Sequence, residues 1–211
     1  MTADRAVRSR VQATKEAPID PEPTHVRSAT VDPVVLHTMT WSAEFAVPCV
    51  MPATGAVLRL LAAGTRARSV VEVGTGLGVS GLWLLQGLAA DAVLTTIDIE
   101  IDHQAMARQA FAAAEAAGFG APRDEVSPAR TRLIAGPAKQ VLDRLADASY
   151  DLVFVDMDDH PLCTDAARRL LRPAGLLVLH QPTAEDHARL SGREWAAAQL
   201  GPDLLAATRR S

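Results

Sequence analysis

Between residues 69 and 180, short apolar runs alternate with longer segments in which apolar residues recur at helical spacing. The runs are Ser69–Val73, Val93–Asp98, Thr131–Ala135, Leu152–Asp156 and Leu176–His180. They are rich in Val, Leu and Ile, and they lack the strict polar alternation of a strand with one wet face. Such runs predict strands covered on both faces. The segments between them, Val79–Ala89, Asp102–Ala117, Lys139–Ala146 and Cys163–Leu171, predict helices. Five strands with helical crossovers predict a doubly wound, mostly parallel α/β sheet with helices on both faces. Ahead of it, Val31–Val47 predicts a short helix or helical lid. Ala53–Ala63, entered through Pro52 and left through Gly64, predicts a helix that buries Leu58, Leu60 and Leu61. Beyond the last run, two apolar segments flank Gly201-Pro202 between Trp195 and Arg209. They predict an antiparallel hairpin that closes the sheet edge. Residues 1–28 show no apolar period and are broken by Pro18, Pro21 and Pro23, which predicts a flexible tail. Residues 29–211 are then a single domain.

Composition narrows the class without changing this picture. The chain of 211 residues is 48% hydrophobic and 22% charged, ordinary for a globular protein. Its net charge of -4, without a basic stripe, argues against a nucleic-acid partner. No apolar run is long enough for a membrane helix, and no signal-peptide pattern opens the chain. Cys49 and Cys163 are isolated, as expected of thiols in a reducing cytoplasm.

The chemistry is concentrated where the first run meets its helix, at Val70-Val-Glu-Val-Gly-Thr-Gly-Leu-Gly-Val-Ser80. A strand that ends in a glycine turn and opens into a helix is a cofactor cradle at the carboxyl edge of a sheet. Gly76, Gly78 and Gly81 match dinucleotide spacing. However, a dinucleotide site wants its first glycine directly after the strand, which here is Gly74, and that frame puts Val79 in the third position. Glu72 would repel a pyrophosphate and suits a cationic cofactor such as S-adenosylmethionine, with its sulfonium and ammonium groups. The second run ends in Asp98, placed to accept bonds from ribose hydroxyls. A nicotinamide cofactor would use the same device, so Asp98 alone does not discriminate.

From about Val50 to His180 the chain resembles the class I S-adenosylmethionine-dependent O-methyltransferases, in particular small bacterial members of the catechol and caffeoyl-CoA O-methyltransferase type. The resemblance is carried by Glu72-Val-Gly-Thr-Gly-Leu-Gly-Val-Ser-Gly81, Leu94-Thr-Thr-Ile-Asp-Ile-Glu100, Arg132-Leu-Ile-Ala-Gly-Pro-Ala-Lys139 and Tyr150-Asp-Leu-Val-Phe-Val-Asp156. It implies a Rossmann-like fold, a small and usually aromatic hydroxyl acceptor, and sometimes a homodimer. It also implies a cofactor site in which Val50 meets the methionine portion through its backbone. Glu72, Gly74, Thr75 and Gly76 would line the carboxypropyl and ribose region. Ser80 would take the carboxylate, Asp98 the ribose and Ala138 the adenine edge. Asp156 and Asp158 would face the methyl.

The pattern departs from the family at the acceptor side. Catechol-methylating members bind a divalent ion through an Asp ending the fourth strand and an Asp-Asn pair after the fifth, and use a Lys base. Here Asp156 keeps the first ligand position, His180-Gln181 stands in place of the pair, and Asp159 in place of the Lys, followed by His160. The expectation is therefore that no metal binds, with Asp156 the candidate ligand if one does; a softer ion such as Zn²⁺, Mn²⁺ or Fe²⁺ would take Asp156 and His180. Asp156 and His180 remain the catalytic candidates, with His180, or His160 on its loop, as a proton acceptor. Trp195 is read as a core or interface indole or as part of an acceptor pocket. The rival readings are a non-catalytic protein that holds S-adenosylmethionine or S-adenosylhomocysteine, and a nicotinamide-dependent oxidoreductase. Base methylation in nucleic acid is disfavoured, because Asp156-Met-Asp lacks a Pro-Pro-aromatic turn.

Overall fold

The computed structural model describes residues 31–119 and 129–210. The tail expected over residues 1–28 lies outside them. Five parallel strands, β1 (Ser69–Val73), β2 (Val93–Asp98), β3 (Arg130–Ala135), β4 (Tyr150–Val155) and β5 (Leu171–His180), are followed by β6 (Trp195–Gln199) and β7 (Leu204–Arg209). Together they form one seven-stranded sheet in the order β3-β2-β1-β4-β5-β7-β6. β7 pairs antiparallel with both β5 and β6, so the expected hairpin does close that side. The chain winds outward from β1 in one direction and from β4 in the other. β1 and β4 are neighbours in register, Val73 beside Val155. This is the switch point, where a crevice opens above the strand ends.

Among the described residues seven helices accompany the sheet: α1 (Pro33–Glu44), α2 (Pro52–Gly64), α3 (Val79–Gly87), α4 (Ile101–Ala116), α5 (Ala138–Leu142), α6 (His160–Leu170) and α7 (Ala184–Leu190). Strand side chains alternate between the two faces, and the core divides accordingly. Val70, Leu94, Leu152 and Val178 pack with Leu58, Leu82, Trp83 and Phe111 on one side. Val71, Ile97, Val153 and Leu177 pack with Leu142, Leu170 and Trp195 on the other. Trp195 is thus a core residue, packed with the cluster that holds Leu190 and Leu205. No helix among the described residues is long and apolar enough to cross a membrane.

Several boundaries differ from the sequence expectation, each for a local reason. Leu60 is 68% exposed. Thr54, Leu58 and Ala62 are buried one helical turn apart, which puts Leu60 on the opposite face. Helix α6 starts at His160 rather than Cys163, because the Asp159 carboxylate caps it by accepting from the Leu162 N–H, with Pro161 in the first turn. Strand β5 starts at Leu171, before Pro173 and Gly175, and its pairing with β4 shifts register between Tyr150 and Leu152. Helices α5 and α3 both stop earlier than expected, at Leu142 and Gly87.

Candidate functional site

A cavity of about 740 Å³ opens above the carboxyl ends of β1, β2, β4 and β5. The glycine turn after β1 forms its floor. Gly74 has a φ of +98°, and a Cβ there would collide with the carbonyl of Asp156. A larger residue would therefore push apart the two strand ends that frame the site. Gly78, with φ +97°, is the left-handed N-cap of α3. The turn is held from above as well. Asp98 accepts from the Gly76 N–H at 2.8 Å and from the Glu100 N–H at 2.9 Å. Thr75 and Thr96 share a hydroxyl hydrogen bond of 2.7 Å, and the Gln104 side-chain amide donates to Thr75 Oγ1 and to the Ile134 carbonyl. Gln104 holds the turn and β3 together, a role with no mark in the sequence pattern.

Of the residues expected around a cofactor, Gly74, Thr75, Gly76, Ser80, Asp98, Asp156, Asp158 and His180 line this cavity. Val50, Glu72 and Ala138 do not. Val50 is buried in the core, and its neighbours Val47, Pro48 and Cys49 border the cavity instead. Ala138 starts α5 beyond the strand ends. Glu72 lies beneath the turn, fully buried. Its Oε1 accepts from the Ser80 hydroxyl at 2.6 Å, while Oε2 has no partner among the described residues. Burial pushes the Glu72 carboxyl up to about 7, against the Ser80 and Thr96 hydroxyls that favour its charge. A buried acid with one open oxygen is costly unless a cation or donor completes it.

At the far wall Asp156 and His180 meet, with Oδ1 and Nδ1 2.6 Å apart. The other ring nitrogen, Nε2, faces Asp203 at 3.6 Å. Asp203 lies between β6 and β7, and its carboxylate also accepts from the Thr54 hydroxyl of α2. Burial disfavours a charge on His180, but the two carboxylates outweigh it and raise the imidazole above its ordinary value. Both ring nitrogens thus face carboxylates. Just past it, Gln181 holds a left-handed φ of +53° and its N–H donates to the Asp203 carbonyl at 2.7 Å. Strain of this kind at a cavity wall persists only where the surroundings over-determine it. Neither Asp203 nor Thr54 was marked as functional by the sequence.

The donor set does not fit a hard divalent ion. Asp156 already spends Oδ1 on His180, and both His180 nitrogens face acids. Among the described residues no cluster of three His, Cys, Asp or Glu is placed to hold a metal. Neither thiol is activated. Burial raises Cys49, at the cavity rim, and pushes Cys163 up to about 12.

A second acid–base pair borders the same cavity. His160 Nδ1 lies 2.7 Å from Asp186 Oδ2, with both side chains buried. Asp186 also accepts from the Thr183 N–H and hydroxyl, closing the capping box of α7.

Comparison with known proteins agrees with this geometry. Residues 71–181 match a family model described as a methyltransferase domain. A Mycobacterium sp. (strain JLS) protein curated as "Putative O-methyltransferase" is 48% identical over 182 residues, covering 85% of this chain and 76% of the relative. One from Mycobacterium tuberculosis (strain ATCC 25177 / H37Ra), curated under the same name, is 48% identical over 168 residues, 79% of this chain and 68% of the relative. Among solved structures, a Corynebacterium glutamicum protein superposes with a TM-score of 0.73 at 29% identity, covering 86% of this chain and 92% of its own. The O-methyltransferase TomG of Streptomyces achromogenes, solved with S-adenosylmethionine, gives 0.70 at 26% identity, covering 86% and 91%.

Proposed function

Since the chain belongs to the S-adenosylmethionine-dependent O-methyltransferases, we propose that its switch-point cavity holds the methyl donor against the glycine turn and a small hydroxylated acceptor against Asp156. When bound, the donor supplies an electrophilic methyl on a sulfonium. The residues present suit it. Asp98, pinned to the turn by Gly76, has lone pairs left for ribose hydroxyls. The Ser80 hydroxyl proton is given to Glu72, and it is the backbone N–H groups of the first turn of α3, where Ser80 lies, that favour a carboxylate. The observation that carries the reading is Glu72, an acid buried behind the glycine turn and the first turn of α3, with one oxygen unpartnered among the described residues; an acid there suits a cationic ligand and opposes a pyrophosphate. Thr75 and Gly76 line the same wall, and Asp158 lies with Asp156 at the acceptor side. Val50 and Ala138 act, in this reading, through backbone groups only.

A divalent ion does not fit these side chains, and no step is derived through one. Asp156, oriented by His180, positions the acceptor, and the protein's contribution is to hold the oxygen in line with the methyl. His180, set between Asp156 and Asp203, serves in this reading as a positioning residue. A cavity of about 740 Å³ is of a size for small molecules, which range over roughly 300–1,000 Å³.

The test is calorimetric and kinetic. S-adenosylhomocysteine binds the purified protein, and a panel of phenols and catechols yields at least one methyl ether. Asp156→Asn lowers that rate 100-fold or more with donor affinity within threefold. EDTA leaves the rate within twofold. Donor binding without transfer to any hydroxyl would favour the non-catalytic reading, and a tenfold loss in EDTA restored by Mg²⁺ would overturn the metal assignment.

A further inference from the structure

The hydroxyl to be methylated must lose a proton, and both nitrogens of His180 face carboxylates, Asp156 at Nδ1 and Asp203 at Nε2. We propose that the His160–Asp186 pair is the proton-accepting dyad of the transfer, with His160 the catalytic residue and Asp186 its positioning residue. This rests on the methyl-transfer reading above.

The geometry fixes the state of the ring. Burial opposes the charge on Asp186, yet the His160 ring and the two Thr183 donors outweigh it and hold Asp186 below the usual carboxylate range. An ionised carboxylate only accepts, so Nδ1 of His160 is the donor in the 2.7 Å bond. In the neutral ring the lone pair is then on Nε2, for which no partner exists among the described residues. His160 is 5% exposed, and it lines both the main cavity and a side recess that opens beside it. An imidazole that lines a cavity, with a carboxylate on Nδ1 and no partner on Nε2 among the described residues, has the arrangement of a general base.

Its placement follows from local sequence. Asp159 caps α6 and Pro161 fixes its first turn, so His160 opens the helix at the cavity wall. The Thr183–Asp186 capping box sets the carboxylate from α7. The charged groups around the ring are Asp158 and Asp159 before α6 and Glu185 and Asp186 of α7, all lining the recess. All four are acids.

The step balances. The acceptor O–H proton passes to His160 Nε2, and the oxygen electron pair forms the bond to the methyl carbon. The carbon–sulfur pair stays on sulfur, which becomes a neutral thioether. The imidazolium returns its proton to solvent.

His160→Asn tests this, because an Asn amide can still donate to Asp186 while no basic nitrogen remains. For a phenol that is un-ionised at assay pH, kcat falls at least 100-fold. For a nitrophenol already ionised at that pH it falls less than threefold, and S-adenosylhomocysteine affinity stays within twofold. Asp186→Asn gives the same split. Nitrogen-15 spectra of the wild-type protein show the neutral His160 ring protonated on Nδ1, and in Asp186→Asn the proton moves to Nε2. Equal losses for both phenols, no loss for either, or a wild-type ring protonated on Nε2 would overturn the proposal. A wild-type protein that methylates no hydroxyl would instead remove the reading beneath it, while the spectra still decide the state of the dyad.

Discussion

Glu72 is the residue at which stability and binding oppose one another. Its carboxyl is pushed up to about 7 by burial, so the folded protein prefers it protonated. An acid raised in this way costs nothing below its unfolded value of 4.5. The cost grows as pH rises and is complete above about 7, where it is on the order of 3 kcal/mol. His180 works in the same direction. Its raised value stabilises the fold below the ordinary imidazole range, and that contribution is lost as pH rises through its folded value. The ligand-free protein should therefore melt at progressively lower temperature from pH 5 to pH 8. Glu72→Gln should flatten most of that slope and weaken S-adenosylhomocysteine binding at least tenfold. Melting curves across the pH series, with and without ligand, check both. Unchanged slope and unchanged affinity would show that Glu72 is only structural. Glu72 was legible from its place at a strand end beside glycines. That its open oxygen lies under the turn and outside the cavity was not, because strand position does not say which way a carboxyl turns.

Among the elements, α2 ties the core to the site. It packs on α3 so closely that a Cβ on Gly55 would run into the Trp83 indole. From the same helix, Thr54 reaches Asp203. Gly55→Ala should cost about 1–3 kcal/mol by overpacking. It should also weaken the hold of α2 on Asp203. Denaturant unfolding measures the first effect. The second appears as a fall of the His180 titration midpoint toward the ordinary imidazole value in NMR. The central parallel strands β1, β2 and β4 were legible because they are buried on both faces, unlike the edge strand β3, and β1 and β2 carry their expected limits. The start of β5 was hidden by Arg172-Pro-Ala-Gly175, which reads as a turn yet runs as an irregular strand. The start of α6 was legible in principle, in the Asp159 cap and Pro161. The Thr183-x-x-Asp186 box was equally readable as a helix start. Its partnership with His160 was not, since 26 residues separate them and nothing local records the contact.

Across the whole molecule, the two faces of the sheet carry separate cores, and the hairpin contributes to both, Leu204 and Ala206 to one and Trp195, Leu205 and Ala207 to the other. Trp195 anchors it, 2% exposed in the cluster that includes Leu190 and Leu205. Trp195→Ala should destabilise the protein by about 3–5 kcal/mol, measured as a loss in urea midpoint in one cooperative transition. Separate melting of the hairpin would show that it is an independent appendage. The hairpin's existence was legible from Gly201-Pro202 between apolar segments. Its reach into the site was not, because Asp203 is 23 positions from His180 and looks like an ordinary turn acid. That reach has a consequence for biosynthesis. Asp203 holds the His180 ring from the loop between the last two strands, and the ribosome makes those strands after every residue of the cofactor cradle. A nascent chain can fold its glycine turn early. Its acceptor wall stays unfinished until residues near 209 have left the exit tunnel. The polypeptide therefore acquires a donor cradle before it acquires a complete place to use it, and a chain stalled in translation short of β7 would lack the strand that sets Asp203 against His180.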